Sequence, residues 1–397
     1  MKGYKIWFGL VLVMLMTVVA CQSGEQEPEE VEEETEEEVE EIDESQSEEE
    51  DQEEVTAESE ERPQYEVWIA DQGTNEIHII DGVTHEIIDM VDFGDVGDKP
   101  HMLVFDSAGE YGYSANMGSG TVSVIRAEER EVVATLETDE GAHAAVPTPD
   151  GSRVLVANTP GESMTEILID HDNEEYAVGR HLELTEVDLL QDEEEFPNHR
   201  PICLEYTADS SKAYVTLGGG GLFIMDVEEF EEVKAFGKSD IGAHGCGTIL
   251  SPDGKHMFAN SGSTELAEYY VFDTETDELI YTGETGGIDA HGVQFTPDDE
   301  YLWMLNRVTD DASIIDPETF EVIEMVDFVG DAPDLLVFSP DGKYAYISLR
   351  GPEPATGTHD MAGDTPGVAI IDVESKEKVG LIELSGDPHG IDLRVLD

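Results

Sequence analysis

Residues 334–350 read D-L-L-V-F-S-P-D-G-K-Y-A-Y-I-S-L-R: an apolar run, a Pro-Asp-Gly turn, then a second β-rich run. Pro presets φ and Gly accepts the positive φ of a tight turn, so the stretch reads as two antiparallel strands. The pattern recurs along the chain. T-P-D-G at 148–151, S-P-D-G at 251–254 and T-P-D-D at 296–299 hold the same turn, with weaker copies in T-A-D-S at 207–210 and D-S-A-G at 106–109. Each is followed by a strand-like run, such as Y-S-A-N at 113–116, V-L-V-A-N at 154–158, Y-V-T-L at 214–217 and L-W-M-L-N at 302–306. A third run ends near Asp (L-F-I-M-D at 222–226, V-A-I-I-D at 368–372), and a fourth, such as E-V-V-A-T-L at 131–136, closes the unit.

The units begin near residues 101, 143, 202, 246, 291, 334 and 389, at intervals of 42, 59, 44, 45, 43 and 55. Four short strands repeating at about 40–45 residues predict β-propeller blades, the two longer intervals carrying insertions. The last unit has one strand, at 389–396, whereas 64–91 supplies three. One blade is therefore split between the two ends of the domain, which closes the ring and leaves no open sheet edge. The expectation is an all-β, seven-bladed propeller over 63–397. These repeats resemble the YVTN family of β-propeller repeat proteins, whose strand motif Y-V-T-L at 214–217 nearly reproduces. The resemblance implies the fold and leaves function open, because such propellers host enzymes, binders and scaffolds alike.

The segment before the propeller gives an address. Lys2 and Lys5 precede an apolar run from Ile6 to Val19, which suits a signal-peptide core and is short for a membrane span. The run ends in Val18-Val19-Ala20-Cys21, which resembles the lipobox of bacterial lipoproteins. That resemblance implies cleavage before Cys21, lipid attachment at its sulfur, and a cell-envelope location on the outer face of the cytoplasmic membrane or otherwise extracytoplasmic. Residues 1–20 read as signal peptide and 21–62 as a tether. Positions 22–62 hold 23 Asp or Glu and one basic residue, Arg62, too little apolar surface to offset the entropy of ordering.

The 397-residue chain carries 94 acidic against 19 basic residues, a formal net charge of −75. Beyond residue 62, 71 acidic residues face 16 basic ones, so the folded body stays near −55. A phosphate backbone would be repelled, which excludes nucleic-acid binding. Such an exterior suits a saline habitat, where screening removes self-repulsion. Three cysteines without a C-x-x-C pair exclude a disulfide scaffold and a zinc knuckle.

Aligning the repeats brings one position forward. Five residues before the Ser or Thr of each turn stand His101, His143, Ile202, Cys246, His291, Asp334 and His389. His244 lies two residues before Cys246, on the same side of an extended strand. The innermost strands start at one mouth of the channel, so His101, His143, His244, Cys246, His291, Asp334 and His389 are expected to crowd there. The insertions at 188–200, with His199, and at 351–366, with His359, open on the same mouth. Imidazole, thiolate and carboxylate together suit zinc or copper and suit calcium poorly. The arrangement resembles the histidine-lined propeller of nitrous oxide reductase and periplasmic zinc-chaperone propellers. It lacks a cupredoxin segment, and Ile202 and Asp334 interrupt the ring. The resemblance implies metal capture or hand-over, with a metal transporter or another envelope protein as partner. Two other readings stay open: a non-enzymatic scaffold or recognition propeller whose histidines serve packing, and an envelope oxidoreductase or hydrolase. Arg307 and Arg350 end the second strands of two neighbouring blades, placed either to contact an anion or to pair with carboxylates. His78, His85, His171, His181 and His256 read as surface. G-G-G-G at 218–221 precedes a strand and is a turn rather than a phosphate cradle.

Overall fold

A computed structural model describes residues 64–242, 247–262, 266–356 and 361–396. The expected signal peptide, Cys21 and the expected acidic tether lie outside these residues, as do His244, Cys246 and His359. The described chain forms seven four-stranded antiparallel sheets, with two short 3₁₀ turns and no α-helix among the described residues. We number the blades in the order their inner strands follow the axis. Blade 1 joins Pro388–Val395 to Tyr65–Asp71, Glu76–Asp81 and Ile87–Asp92. Blades 2 to 7 open with the inner strands Pro100–Phe105, Ala142–Pro147, Pro201–Tyr206, Thr248–Leu250, Ala290–Phe295 and Pro333–Phe338. The chain is thus a seven-bladed β-propeller closed by strands from both ends of the domain.

The repeated turn is a physical device. Thr148, Thr207, Ser251, Thr296 and Ser339 each donate a hydroxyl hydrogen to the Asp two residues on, at 2.6–2.8 Å. Gly151, Gly254 and Gly342 then take φ of +68° to +74°, the conformation that favours glycine. Within a blade the inner strands are buried on both faces, while the outer strand is half exposed, as in Glu131–Glu137. Neighbouring blades meet through aromatic edges. Trp68 packs on Phe105 at 5.2 Å and Trp303 on Phe338 at 5.5 Å, both near perpendicular, an arrangement favoured by ring quadrupoles.

One irregularity decides the site. In every blade whose channel-mouth position is described, the ladder between first and second strand slips at that position. The slips fall between Pro100 and Met102, Ala142 and Ala144, Pro201 and Leu204, Ala290 and Val293, and Pro333 and Leu336. In blade 1 the slip separates Asp71–Pro388 from Ile69–Ile391. Each mouth residue therefore sits on a β-bulge, unpaired in the ladder, where a bulge re-aims a side chain. Below the mouth an axial cavity of about 180 Å³ is lined from all seven blades, including Leu103, Ala144, Cys203, Thr248, Val293, Leu335 and Ile391.

Candidate metal centre

His101, His143, His291, His389 and Asp334 are all buried and converge at the mouth. The imidazoles run as one file. His143 Nε2 lies 3.0 Å from His101 Nε2, and the His101 ring lies over His389 with centroids 3.7 Å apart and planes tilted by 31°. His389 meets His291 edge to face at 5.7 Å. Asp334 stands between the last two. Its Oδ2 is 3.2 Å from His389 Nε2 and its Oδ1 is 3.0 Å from His291 Nδ1. His291, Asp334 and His389 present ligand atoms that all lie within 4.8 Å of one another.

The backbone sets the ring orientations. His389 Nδ1 is 3.0 Å from the carbonyl of His101, and His291 Nδ1 is 3.0 Å from the carbonyl of Asp334. A carbonyl only accepts, so each Nδ1 carries a hydrogen, and that of His291 also lies 3.0 Å from Asp334 Oδ1. The following glycines permit this approach. A Cβ on Gly390 would stand 2.6 Å from the His101 carbonyl oxygen, and one on Gly292 2.5 Å from that of Asp334. His101 Nδ1 donates instead to Gln72 Oε1 at 3.0 Å. Burial, then the neighbouring His389, His143 and Arg350, push His101 well below the usual imidazole range, which keeps it neutral. Burial alone would raise Asp334, but His389, His291 and Arg350 outweigh it and hold its carboxyl well below the usual carboxylate range.

Arg307 and Arg350 are buried and reach the same carboxylate, at 3.1 Å and 3.3 Å from Asp334. Each is also gripped by a second aspartate: Arg307 by Asp289 at 2.8 Å and 3.2 Å, Arg350 by Asp387 at 2.8 Å twice. Three carboxylates, two guanidiniums and the histidine file thus share one buried network. Both arginines are taken up by carboxylates. His199 is turned into its own insertion, with Nε2 donating to the carbonyl of Leu190 at 2.9 Å, so it is not brought into the file. Ile202 fills the blade 4 position as a buried apolar side chain. Asp289, Asp387 and Gln72 escaped the sequence reading. For the two aspartates a signal exists in D-A-H-G at 289–292 and D-P-H-G at 387–390, where Asp precedes the mouth histidine by two in blades 6 and 1.

No family model matches the chain. Among curated proteins it is similar to Antigen Lp49 of Leptospira interrogans, 26% identical over 153 residues, which is 37% of this chain and 33% of that protein. It is also similar to an uncharacterized protein of Staphylococcus saprophyticus, 28% identical over 120 residues, 26% of this chain and 35% of the other. The matched part spans about a third of each relative's length. Among solved structures, a putative 6-phosphogluconolactonase from Bacteroides fragilis superposes with a TM-score of 0.59 at 17% identity, over 83% of this chain and 98% of the other. Kuenenia stuttgartiensis hydrazine synthase gives 0.54 at 17% identity, over 71% and 78%. The dihydro-heme d1 dehydrogenase NirN in complex with DHE gives 0.53 at 16% identity, over 82% and 74%. At these identities the likeness is one of fold.

Proposed function

We propose that this chain is a cell-envelope lipoprotein whose propeller binds a transition-metal ion, zinc or copper, at its histidine-lined mouth, for capture or hand-over to a transporter or another envelope protein. One observation carries the reading: His291, Asp334 and His389 offer three ligand atoms within 4.8 Å, and both rings are anchored through Nδ1 as ligating histidines are. An imidazole–carboxylate set suits zinc or copper. The lipobox-like Val18-Val19-Ala20-Cys21 supports the envelope address and an anchor at Cys21.

The test is Zn²⁺ or Cu²⁺ binding by the purified full-length protein. His291→Ala and His389→Ala should each weaken binding by more than about tenfold, the scale at which even outer-shell partners matter, while His85→Ala and His256→Ala should leave it unchanged. A His101→Ala/His143→Ala double variant probes the other end of the file. The competing reading is that the histidines fasten blades to one another through the carbonyls of His101 and Asp334 in a non-enzymatic scaffold. Equal metal affinity in wild type and the mouth variants, with lowered melting temperatures in the variants, would put that reading first.

A further inference from the structure

A second cluster lies outside the mouth, between the outer strand Glu175–Glu183 of blade 3 and the loop that enters its inner strand. His181 Nε2 stands 3.3 Å from Glu183 Oε1 and 3.8 Å from Asp139 Oδ2, and the three donor atoms fall within 4.8 Å of one another. Two donors bound to one ion at about 2.0–2.2 Å in tetrahedral geometry sit roughly 3.3–3.6 Å apart. The cluster needs only small adjustments to close on an ion.

The donors are held from behind. Asn158, fully buried, donates one amide hydrogen to Ser163 Oγ at 3.1 Å and the other to Thr165 Oγ1 at 3.0 Å. Ser163 Oγ donates in turn to Asp139 Oδ2 at 2.7 Å, and Thr165 Oγ1 lies 3.0 Å from His181 Nδ1. Other blades carry the same buried device with a different ending. Asn116 bonds Thr121 and Ser123, and Ser123 reaches Thr135. Asn306 bonds Asp311 and Ser313, whose strand partner is Met325. Blade 3 alone of these three ends in an imidazole, and it does so beside two carboxylates. The cluster is half open to solvent, with Asp139 and His181 side chains 33% and 35% exposed, which leaves coordination positions for water. Two carboxylates and an imidazole form a donor set suited to a first-row divalent ion.

We propose that Asp139, His181 and Glu183 form a second metal site that takes a first-row divalent ion from solvent. The site shares a face with the mouth, because Asp139 lies in the loop entering the inner strand that carries His143. It stands on its own residues and does not depend on the mouth binding metal.

Zn²⁺ binding to the full-length protein is measured with excess Mg²⁺ present, which occupies indiscriminate carboxylate sites. In the His291→Ala/His389→Ala variant the outer site should remain. In His181→Ala it should weaken by about tenfold or more, and Asp139→Asn should weaken it in the same direction. Because His181 is exposed, its replacement should leave the circular-dichroism spectrum and melting temperature without metal unchanged. Cu²⁺ loaded into the mouth variant should show imidazole nitrogen coupling in its EPR spectrum that disappears on adding His181→Ala. If the mouth variant binds no Zn²⁺ above the Mg²⁺ background, or binds it equally with and without His181, the outer site does not exist. Equal Zn²⁺ binding by wild type and the mouth variant, lost in both on adding His181→Ala, would overturn the proposed function and leave this site standing.

Discussion

At the residue scale, the axis holds two acids whose behaviour is opposite to that of Asp334. Glu205 and Asp392 face the axial cavity, and no Lys, Arg or His is among its described lining residues. Burial raises Glu205 to about 7 against a single backbone bond from Tyr206 that lowers it. Burial likewise raises Asp392 to about 6, against backbone bonds from Phe105 and Leu393. A raised acid binds its proton more tightly in the folded chain than in the unfolded one. Stability should therefore fall as pH rises from the ordinary carboxylate range through about 7 for Glu205 and level off above it. Glu205→Gln keeps the oxygen that accepts the Tyr206 N–H and removes the titration. Denaturant unfolding should show it more stable than wild type at about pH 8, by on the order of 1–3 kcal/mol, and equal near pH 4. A remnant of the slope, ending lower, should persist through Asp392. An unchanged pH profile in Glu205→Gln would place that carboxyl in contact with bulk water.

At the element scale, the strand pattern was open to reading because turn chemistry and period are local. Ser339-Pro340-Asp341-Gly342 announces its turn in four letters, and the copies at 148, 251 and 296 fix the period without any tertiary information. The mouth histidines were also legible, since alignment of the repeats puts His101, His143, His291 and His389 at one rank. Their final partners were not. Whether Arg307 meets a ligand or Asp289 depends on which loop folds under it, and the D-x-H-G spacing at 289–292 and 387–390 marks the aspartates without naming their partners. The β-bulges were equally hidden, because a one-residue slip leaves composition unchanged. At two of them a glycine follows the histidine, Gly292 and Gly390. In blades 1 and 6 the neighbouring inner strand approaches so closely that a Cβ on Gly390 would meet Leu103 N at 2.7 Å, and one on Gly292 would meet Leu335 Cα at 2.8 Å. These contacts are backbone and cannot swing aside. Gly390→Ala and Gly292→Ala should each cost about 1–3 kcal/mol, the range for overpacking, and should weaken metal binding through the displaced imidazoles. A denaturation midpoint equal to wild type in both variants would show that the blades separate without penalty.

At the scale of the whole molecule, charge dominates. The few cations of the body are largely committed: Arg130 to Glu66 and Asp89, Arg180 to Glu166, Lys212 to Asp277, Lys376 to Glu324. With 71 acidic residues beyond position 62 and 16 basic ones, most carboxylates have no cation to pair with. Salt acts on both populations. It weakens exposed ion pairs, each worth about 0–1 kcal/mol, and it weakens repulsion among unpaired carboxylates. The Debye length shrinks from about 10 Å at 0.1 M to about 3 Å at 1 M, so repulsion between neighbouring outer strands is progressively removed. Unpaired carboxylates outnumber paired ones, and repulsion is the larger sum. The melting temperature should therefore rise between low and molar KCl, most steeply at the dilute end where screening changes fastest. A neutral osmolyte at matched osmolality should not reproduce the steep initial rise, because it stabilises by exclusion from the surface without screening. A flat or falling melting temperature in KCl would mean that the committed pairs outweigh the repulsion, and the reading of this surface as built for salt would fail.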